Sequence, residues 1–214
     1  MGLINRRQSA AEGIAKGLAH WQVAGLLAAI CLAMALFGEA GRDTFMYNRM
    51  SIADGEYWRL LSAHFVHLGP THLVLNIAGL VLVWLLVGRY FTTVQWLAVT
   101  GITIIATSAA FWFVDQYLLW YVGLSGVLHG LLIAGAIHGF RALPSESAII
   151  VAIVVAKLAY EQIAGPMPGS ESVSGGDVVV NAHLFGAVGG ALAAAVLWRS
   201  APEERSIYCL LYTS

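Results

Sequence analysis

The stretch YVGLSGVLHG, residues 121–130, places a serine between two glycines at the start of an apolar run and a histidine four residues further on. In a helix, residues i and i+4 share a face, so Ser125 and His129 would project together from a segment otherwise made of Val127, Leu128 and the leucines that follow. A hydroxyl and an imidazole carried into so apolar a segment need a reason, because polar groups are costly in hydrocarbon and are default functional candidates there.

Hydrocarbon is the appropriate solvent to consider. Of the 214 residues, 59% are hydrophobic and 11% charged, with a mean hydropathy of +0.76, whereas a soluble domain carries about 25% charge. The composition is that of an all-α, polytopic membrane protein. A helix needs roughly 17 to 25 apolar residues to cross a core of about 30 Å, and six stretches are candidates: 21–37, 71–87, 96–114, 125–138, 148–163 and 178–198. The fourth and fifth are short. The fourth becomes a plausible span only if its first turn starts below the membrane surface, with the backbone around Gly123 as a buried loop. A bilayer tolerates such a loop only where protein or a water-filled cavity shields it.

Positive charge sets the expected orientation. Arg6, Arg7 and Lys16 precede the first span, Arg89 and Arg141 lie in the second-to-third and fourth-to-fifth connections, and Arg199 and Arg205 follow the last. The positive-inside rule makes that side cytoplasmic. The other side holds Arg42, Arg49 and Arg59 among many acids, from Glu39 and Asp43 to Glu171 and Asp177, and is expected to face the periplasm or exterior. No small-residue cleavage pattern follows the first apolar run, so it reads as a retained span and not a cleaved signal. A net charge of −1 gives no reason to invoke nucleic acid.

The chain reads as one membrane domain over 21–198, with cytoplasmic segments at 1–20 and 199–208. The terminal CLLYTS, 209–214, matches the translation of a transposase sequencing adapter and is set aside, Cys209 with it; Cys31 reads as a small hydrophobe in the first span. The longest connection, 38–70, exceeds the usual length between packed helices, and loops of this size are often functional. It contains GEYWRLLSAHFVHLGPTH, where Tyr57, Trp58 and Phe65 alternate with Arg59, His64 and His67. Such residues belong at a membrane interface, so this loop is expected to form a partly helical hairpin in the outer leaflet, with Trp58 and Arg59 anchoring it at headgroup depth. The glycine- and serine-bearing stretch 165–176 is the candidate for a mobile lid.

Three spans carry polar residues that could converge. His72 and Asn76 stand at i and i+4 in the second, Ser125 begins the fourth, and His183 lies in NAHLFGAVGG of the sixth. There Gly186 and Gly190 have the small-xxx-small spacing that permits close helix approach. Each has a plainer explanation: Ser125 as an N-cap, His72 and Asn76 as interhelical hydrogen-bonding glue, His183 as a satisfied core histidine. Taken together, however, they comprise a nucleophile, a base and two donors, the set that acyl transfer requires.

The combination of YWR in a long first exterior loop, H-x-x-x-N at His72 and Asn76, G-x-S-G at Gly123, Ser125 and Gly126, and A-H-x-x-G-x-x-x-G from Ala182 to Gly190 resembles the rhomboid family of intramembrane serine proteases. The resemblance extends over about residues 20 to 198, with motif order, span order and topology in agreement. GLSGVLHG, with histidine where the wider family prefers tyrosine, and a K-x-x-x-E pair at Lys157 and Glu161 look most like the rhombosortase branch.

The resemblance implies a six-helix rhomboid-like bundle in a bacterial cytoplasmic (inner) membrane, opening to the periplasm, and a hydrolase needing no cofactor and no metal. Ser125 and His183 would form a dyad without a third carboxylate, and the Ser125 amide with His72 and Asn76 the oxyanion hole. His129 would stack beneath the base. Gly123 would allow the turn that exposes the serine, and Gly126 would let a substrate or a neighbouring helix come near. Lys157 and Glu161 are expected as a snorkelling pair near the outer surface or as a substrate gate.

The implied substrates are membrane-anchored exported proteins ending in a Gly-Gly motif, a hydrophobic helix and a basic tail. Other readings remain: a general rhomboid protease of single-span proteins, a non-catalytic rhomboid-like binding protein, or a small transporter. The last expects acidic residues deep in the bundle, where the spans offer only Glu161.

Overall fold

A computed structural model describes residues 21–198. Its helices, in chain order, are α1 (Gln22–Ala35), α2 (Gly38–Phe45), α3 (Arg49–Ala53), α4 (Arg59–Ser62), α5 (Pro70–Val87), α6 (Thr93–Phe113), α7 (Ser125–Gly139), α8 (Pro144–Ala164), α9 (Ser170–Ser174) and α10 (Val180–Leu197). Two short strands, β1 (Tyr47–Asn48) and β2 (Trp120–Tyr121), pair antiparallel with Tyr47 opposite Tyr121. The segments 1–20 and 199–214, with the expected tails and the adapter-like end, lie outside the described residues.

The starts of the long helices follow local chemistry. Proline opens α5 and α8, where a missing N–H costs nothing and the ring presets φ. Thr92 and Gln95 form a reciprocal capping box at the start of α6, satisfying two otherwise orphaned amides.

Helices α5, α6, α8 and α10 are long and apolar enough to cross a membrane. The first expected span is different: α1 ends at Ala35, and α2 leaves it at an angle of 115°. The fifth expected span, short in the sequence, is the 21-residue α8, which begins at Pro144, ahead of the apolar run. The short α7 has 15 residues, about 22 Å at 1.5 Å per residue.

Its position explains how so short a helix is accommodated. Val127, Leu131, Ala134 and Ala136 are fully buried on all sides of it, with α5, α6, α8 and α10 packed around it. The backbone leading into it is satisfied by the long loop and by its own Tyr121: Gly123 N–H donates to the Ala63 carbonyl at 3.0 Å, β1 pairs with β2, and the Tyr121 hydroxyl donates to the Gly123 carbonyl. Irregular backbone at membrane depth requires such partners.

Helices α7 and α10 meet backbone to backbone. A methyl group on Gly186 would collide with the carbonyl of Gly126, one on Gly190 with the carbonyl of Gly130, and one on Gly126 would lie 2.8 Å from the Ala182 oxygen. Gly126 thus serves a neighbouring helix. At the other extreme stands α8, with 22% of its apolar window buried against 44% for α6 and α10.

The loop 38–69 is partly helical as expected, but several of its polar residues work inward. Arg59 is 7% exposed and donates to the carbonyls of Asp43 and Met46 at 2.8 and 3.0 Å, besides pairing with Glu56. It ties the loop together instead of reaching for headgroups. Trp58 remains half exposed, its indole N–H directed to the Thr44 carbonyl at 3.4 Å. His64 is fully buried, Nε2 2.9 Å from the Ser108 hydroxyl, and burial pushes its pKa down to about 4. It is a neutral packing group, not an interfacial cation. Arg49 donates to the carbonyls of Phe111 and Trp112, oxygens that the end of α6 leaves without intrahelical partners, and to those of Asp115 and Leu118 in the connection that follows.

Candidate active site

Gly123 creates the turn into α7 with φ +123°, a conformation open to glycine and strained for any side chain. Space enforces the same choice, since a Cβ there would lie 2.8 Å from the His72 ring. Ser125 is the first residue of α7, the N-cap position is Leu124, and no side chain caps this helix. The hydroxyl is therefore free of the capping role that its position invites.

It faces α10 instead. Ser125 Oγ lies 3.0 Å from His183 Nε2, and His183 is 6% exposed. The stripe of glycines below makes this distance possible, because it lets α10 approach α7 with no side chain between them.

Beneath His183 lies His129, the two rings stacked with centroids 4.3 Å apart and planes 23° from parallel. His129 Nδ1 is 2.7 Å from the Ser125 carbonyl oxygen. A carbonyl only accepts, so this nitrogen carries the proton.

His72 and Asn76 line the same cavity from α5. The Leu68 amide donates to His72 Nδ1 at 3.3 Å, which leaves the proton on Nε2 and makes that nitrogen a donor beside Gly123. Asn76 Nδ2 gives one hydrogen to the His72 carbonyl at 3.0 Å and has a second to offer. Neither makes an interhelical hydrogen bond among the described residues, so the reading of these two as glue between helices is not what forms.

The fifth expected span supplies a contact that the sequence did not reveal. Glu161 is 2% exposed, with Oε2 2.9 Å from His183 Nδ1 and Oε1 2.7 Å from Lys157 Nζ. The expectation of a serine–histidine pair without a carboxylate is thus corrected in its geometry, and so is that of a snorkelling Lys157–Glu161 pair: Glu161 lies inside, against the imidazole. Spacing along α8 shows that Lys157 and Glu161 share a face, but not which helix that face meets.

The cavity has a volume of about 440 Å³. Met167, Gly169, Ser170 and Val173, from the segment proposed as a lid, form part of its wall with Asp177 and Val179. Among the described residues no group of three or more His, Cys, Asp or Glu side chains is arranged to hold a metal ion.

A helical bundle that holds a cavity bearing polar side chains among helices long and apolar enough to cross a membrane defines a multi-pass integral membrane protein. A family model described as Rhomboid domain matches residues 54–200, more than half of the chain, and the protein belongs to the rhomboid family. No curated protein matches the chain. Rhomboids are intramembrane serine proteases that act on membrane protein substrates within the bilayer.

Proposed function

We propose that this protein is an intramembrane serine endopeptidase of the rhombosortase type, with Ser125 as nucleophile and His183 as general base. The observation that carries this reading is the 3.0 Å contact between Ser125 Oγ and His183 Nε2 at the wall of a cavity. A serine hydroxyl becomes an effective nucleophile when a base within hydrogen-bond reach takes its proton. As Oγ attacks a peptide carbonyl, its proton passes to Nε2 and negative charge collects on the carbonyl oxygen. The Ser125 amide, the His72 Nε2–H and the second Asn76 hydrogen are the donors assigned to that oxygen, with the positive end of the α7 dipole directed at the same place. His183 then returns the proton to the leaving amine.

The substrate class proposed is exported proteins anchored by a C-terminal Gly-Gly motif, hydrophobic helix and basic tail, cleaved at the periplasmic face of a bacterial inner membrane. GLSGVLHG and the Lys157–Glu161 pair support that branch, and the distribution of arginine and lysine supports the orientation. Chemistry is common to all branches, so substrate choice must separate them.

Two reporters offered together test this, one with the sorting tail and one with a generic rhomboid helix bearing small residues at its outer end. The sorting reading expects a preference for the first of at least about tenfold in kcat/KM, roughly 1.4 kcal/mol of differential transition-state binding. Ser125→Ala should abolish both activities, and equal cleavage of the two would leave a general rhomboid protease.

A further inference from the structure

Stacking on His129 sets the plane of the His183 ring, but a stacked ring can flip within its plane without losing the contact. A flip exchanges each nitrogen for a carbon, so it would remove Nε2 from Ser125. Besides the Ser125 contact itself, a hydrogen bond at Nδ1 distinguishes the two orientations, and the structure provides one from α8: Glu161 Oε2 at 2.9 Å. A carboxylate accepts and does not donate, so the shared proton resides on Nδ1. That leaves the lone pair on Nε2, facing the Ser125 hydroxyl at 3.0 Å.

The carboxylate itself is buried, which is costly for a charge without a partner. Lys157 supplies that partner at 2.7 Å on the other oxygen, with 32% of its own side chain exposed. Its Nζ also lies 3.3 Å from Nδ1, but two protonated nitrogens do not hydrogen bond, so the ammonium serves the carboxylate and not the ring.

We propose that Glu161 is a positioning residue for the base: it selects the Nδ1–H form of His183 and stabilises the imidazolium formed when Ser125 gives up its proton, while Lys157 balances its charge. During attack the Oγ–H bond breaks, the Oγ–C bond forms, the proton goes to Nε2 and the carbonyl electron pair to oxygen. Glu161 takes no proton at any step. The working group is then Ser125, His183 and Glu161 in line, contributed by α7, α10 and α8. This inference rests on the assignment of Ser125 and His183 as nucleophile and base.

The test uses the full chain in detergent, with kcat and KM read on a helix-bearing reporter and acylation read with a fluorophosphonate probe. Glu161→Gln, which can present the wrong group to Nδ1, should lower kcat by about 100-fold or more with KM within about twofold; the corresponding change in serine protease triads costs up to about 10⁴. Glu161→Asp should recover at least about tenfold over the glutamine variant, a rescue that a purely structural role would not produce. The double variant Lys157→Met with Glu161→Gln leaves no buried charge unpaired, and should elute and unfold like the parent while remaining about 100-fold slower. A kcat for that folded double variant within about threefold of the parent, or a loss carried by KM alone, would overturn the proposal. Activity in Ser125→Ala would instead overturn the underlying assignment, whereas an inactive Ser125→Ala beside a fully active Glu161→Gln would refute the role of Glu161 only.

Discussion

The imidazole of His129 supports that of His183 from below, with ring centroids 4.3 Å apart, while its own Nδ1–H donates to the carbonyl of Ser125 at 2.7 Å. One side chain therefore couples the backbone of Ser125 to the face of the His183 ring.

If this support is mechanical, a flat ring of another kind should replace it. His129→Tyr is expected to keep substantial activity and His129→Ala to lose about tenfold in kcat, in line with an aromatic contact worth about 0.5 to 1.5 kcal/mol. Steady-state rates on one reporter decide the order. The reverse order would assign His129 to proton transfer.

In the proposed reaction, His72 and Asn76 would offer their hydrogens to an oxygen that becomes charged only during reaction. Alanine at either position should lower kcat by about 10² to 10³ with little change in KM. A rise in KM alone for both variants would assign them to ground-state substrate binding.

The contact between α7 and α10 leaves no room for a methyl group. Gly186→Ala or Gly190→Ala should destabilise the protein by about 1 to 3 kcal/mol through overpacking, read as thermal unfolding in detergent. Gly25→Ala is the control, because a Cβ there meets nothing within 4 Å and alanine favours a helix by about 0.5 to 1 kcal/mol. Equal stability of Gly186→Ala and the control would show that direct backbone contact does not hold the two helices.

Acid should unfold the protein partly through the long loop. Burial lowers the pKa of His64 from 6.5 to about 4 and, with His72 nearby, that of His67 to about 3. The folded state therefore keeps both rings neutral where the unfolded chain would bind protons. Their contribution is fully present above about pH 6.5 and is lost as pH falls toward about 4 for His64 and about 3 for His67. His64→Gln, which retains a polar partner for Ser108, should flatten the decline in unfolding temperature between pH 6.5 and 4; an unchanged slope would exclude His64 as a source.

What was legible in the sequence had a local signal. Ser125 stood between glycines, His72 and Asn76 were one turn apart, and Gly186 and Gly190 followed His183 at a spacing that announces close packing. What was hidden depends on two distant segments meeting. Glu161 and His183 belong to different helices, and the i, i+4 pairing with Lys157 offered an adequate local explanation that concealed the longer one. Arg59 and His64 carried the composition of an interface but were drawn inward by carbonyls and a hydroxyl from other parts of the fold. The bend after α1 was masked because Leu36 and Phe37 extend its apolar run, although the backbone turns at Gly38 with φ +59°. Two-residue strands are too short to leave a period.

The glycine contact between α7 and α10 and the sparse packing of α8 together divide the site into two mechanical classes. Backbone meets backbone between Gly126 and Gly186, so the spacing of the two helices that carry Ser125 and His183 is set by main chain. Glu161 hangs from α8, a helix whose outer surface looks to acyl chains. A change in bilayer thickness or lateral pressure would then be expected to act on the Glu161 carboxylate more than on the spacing of Ser125 and His183.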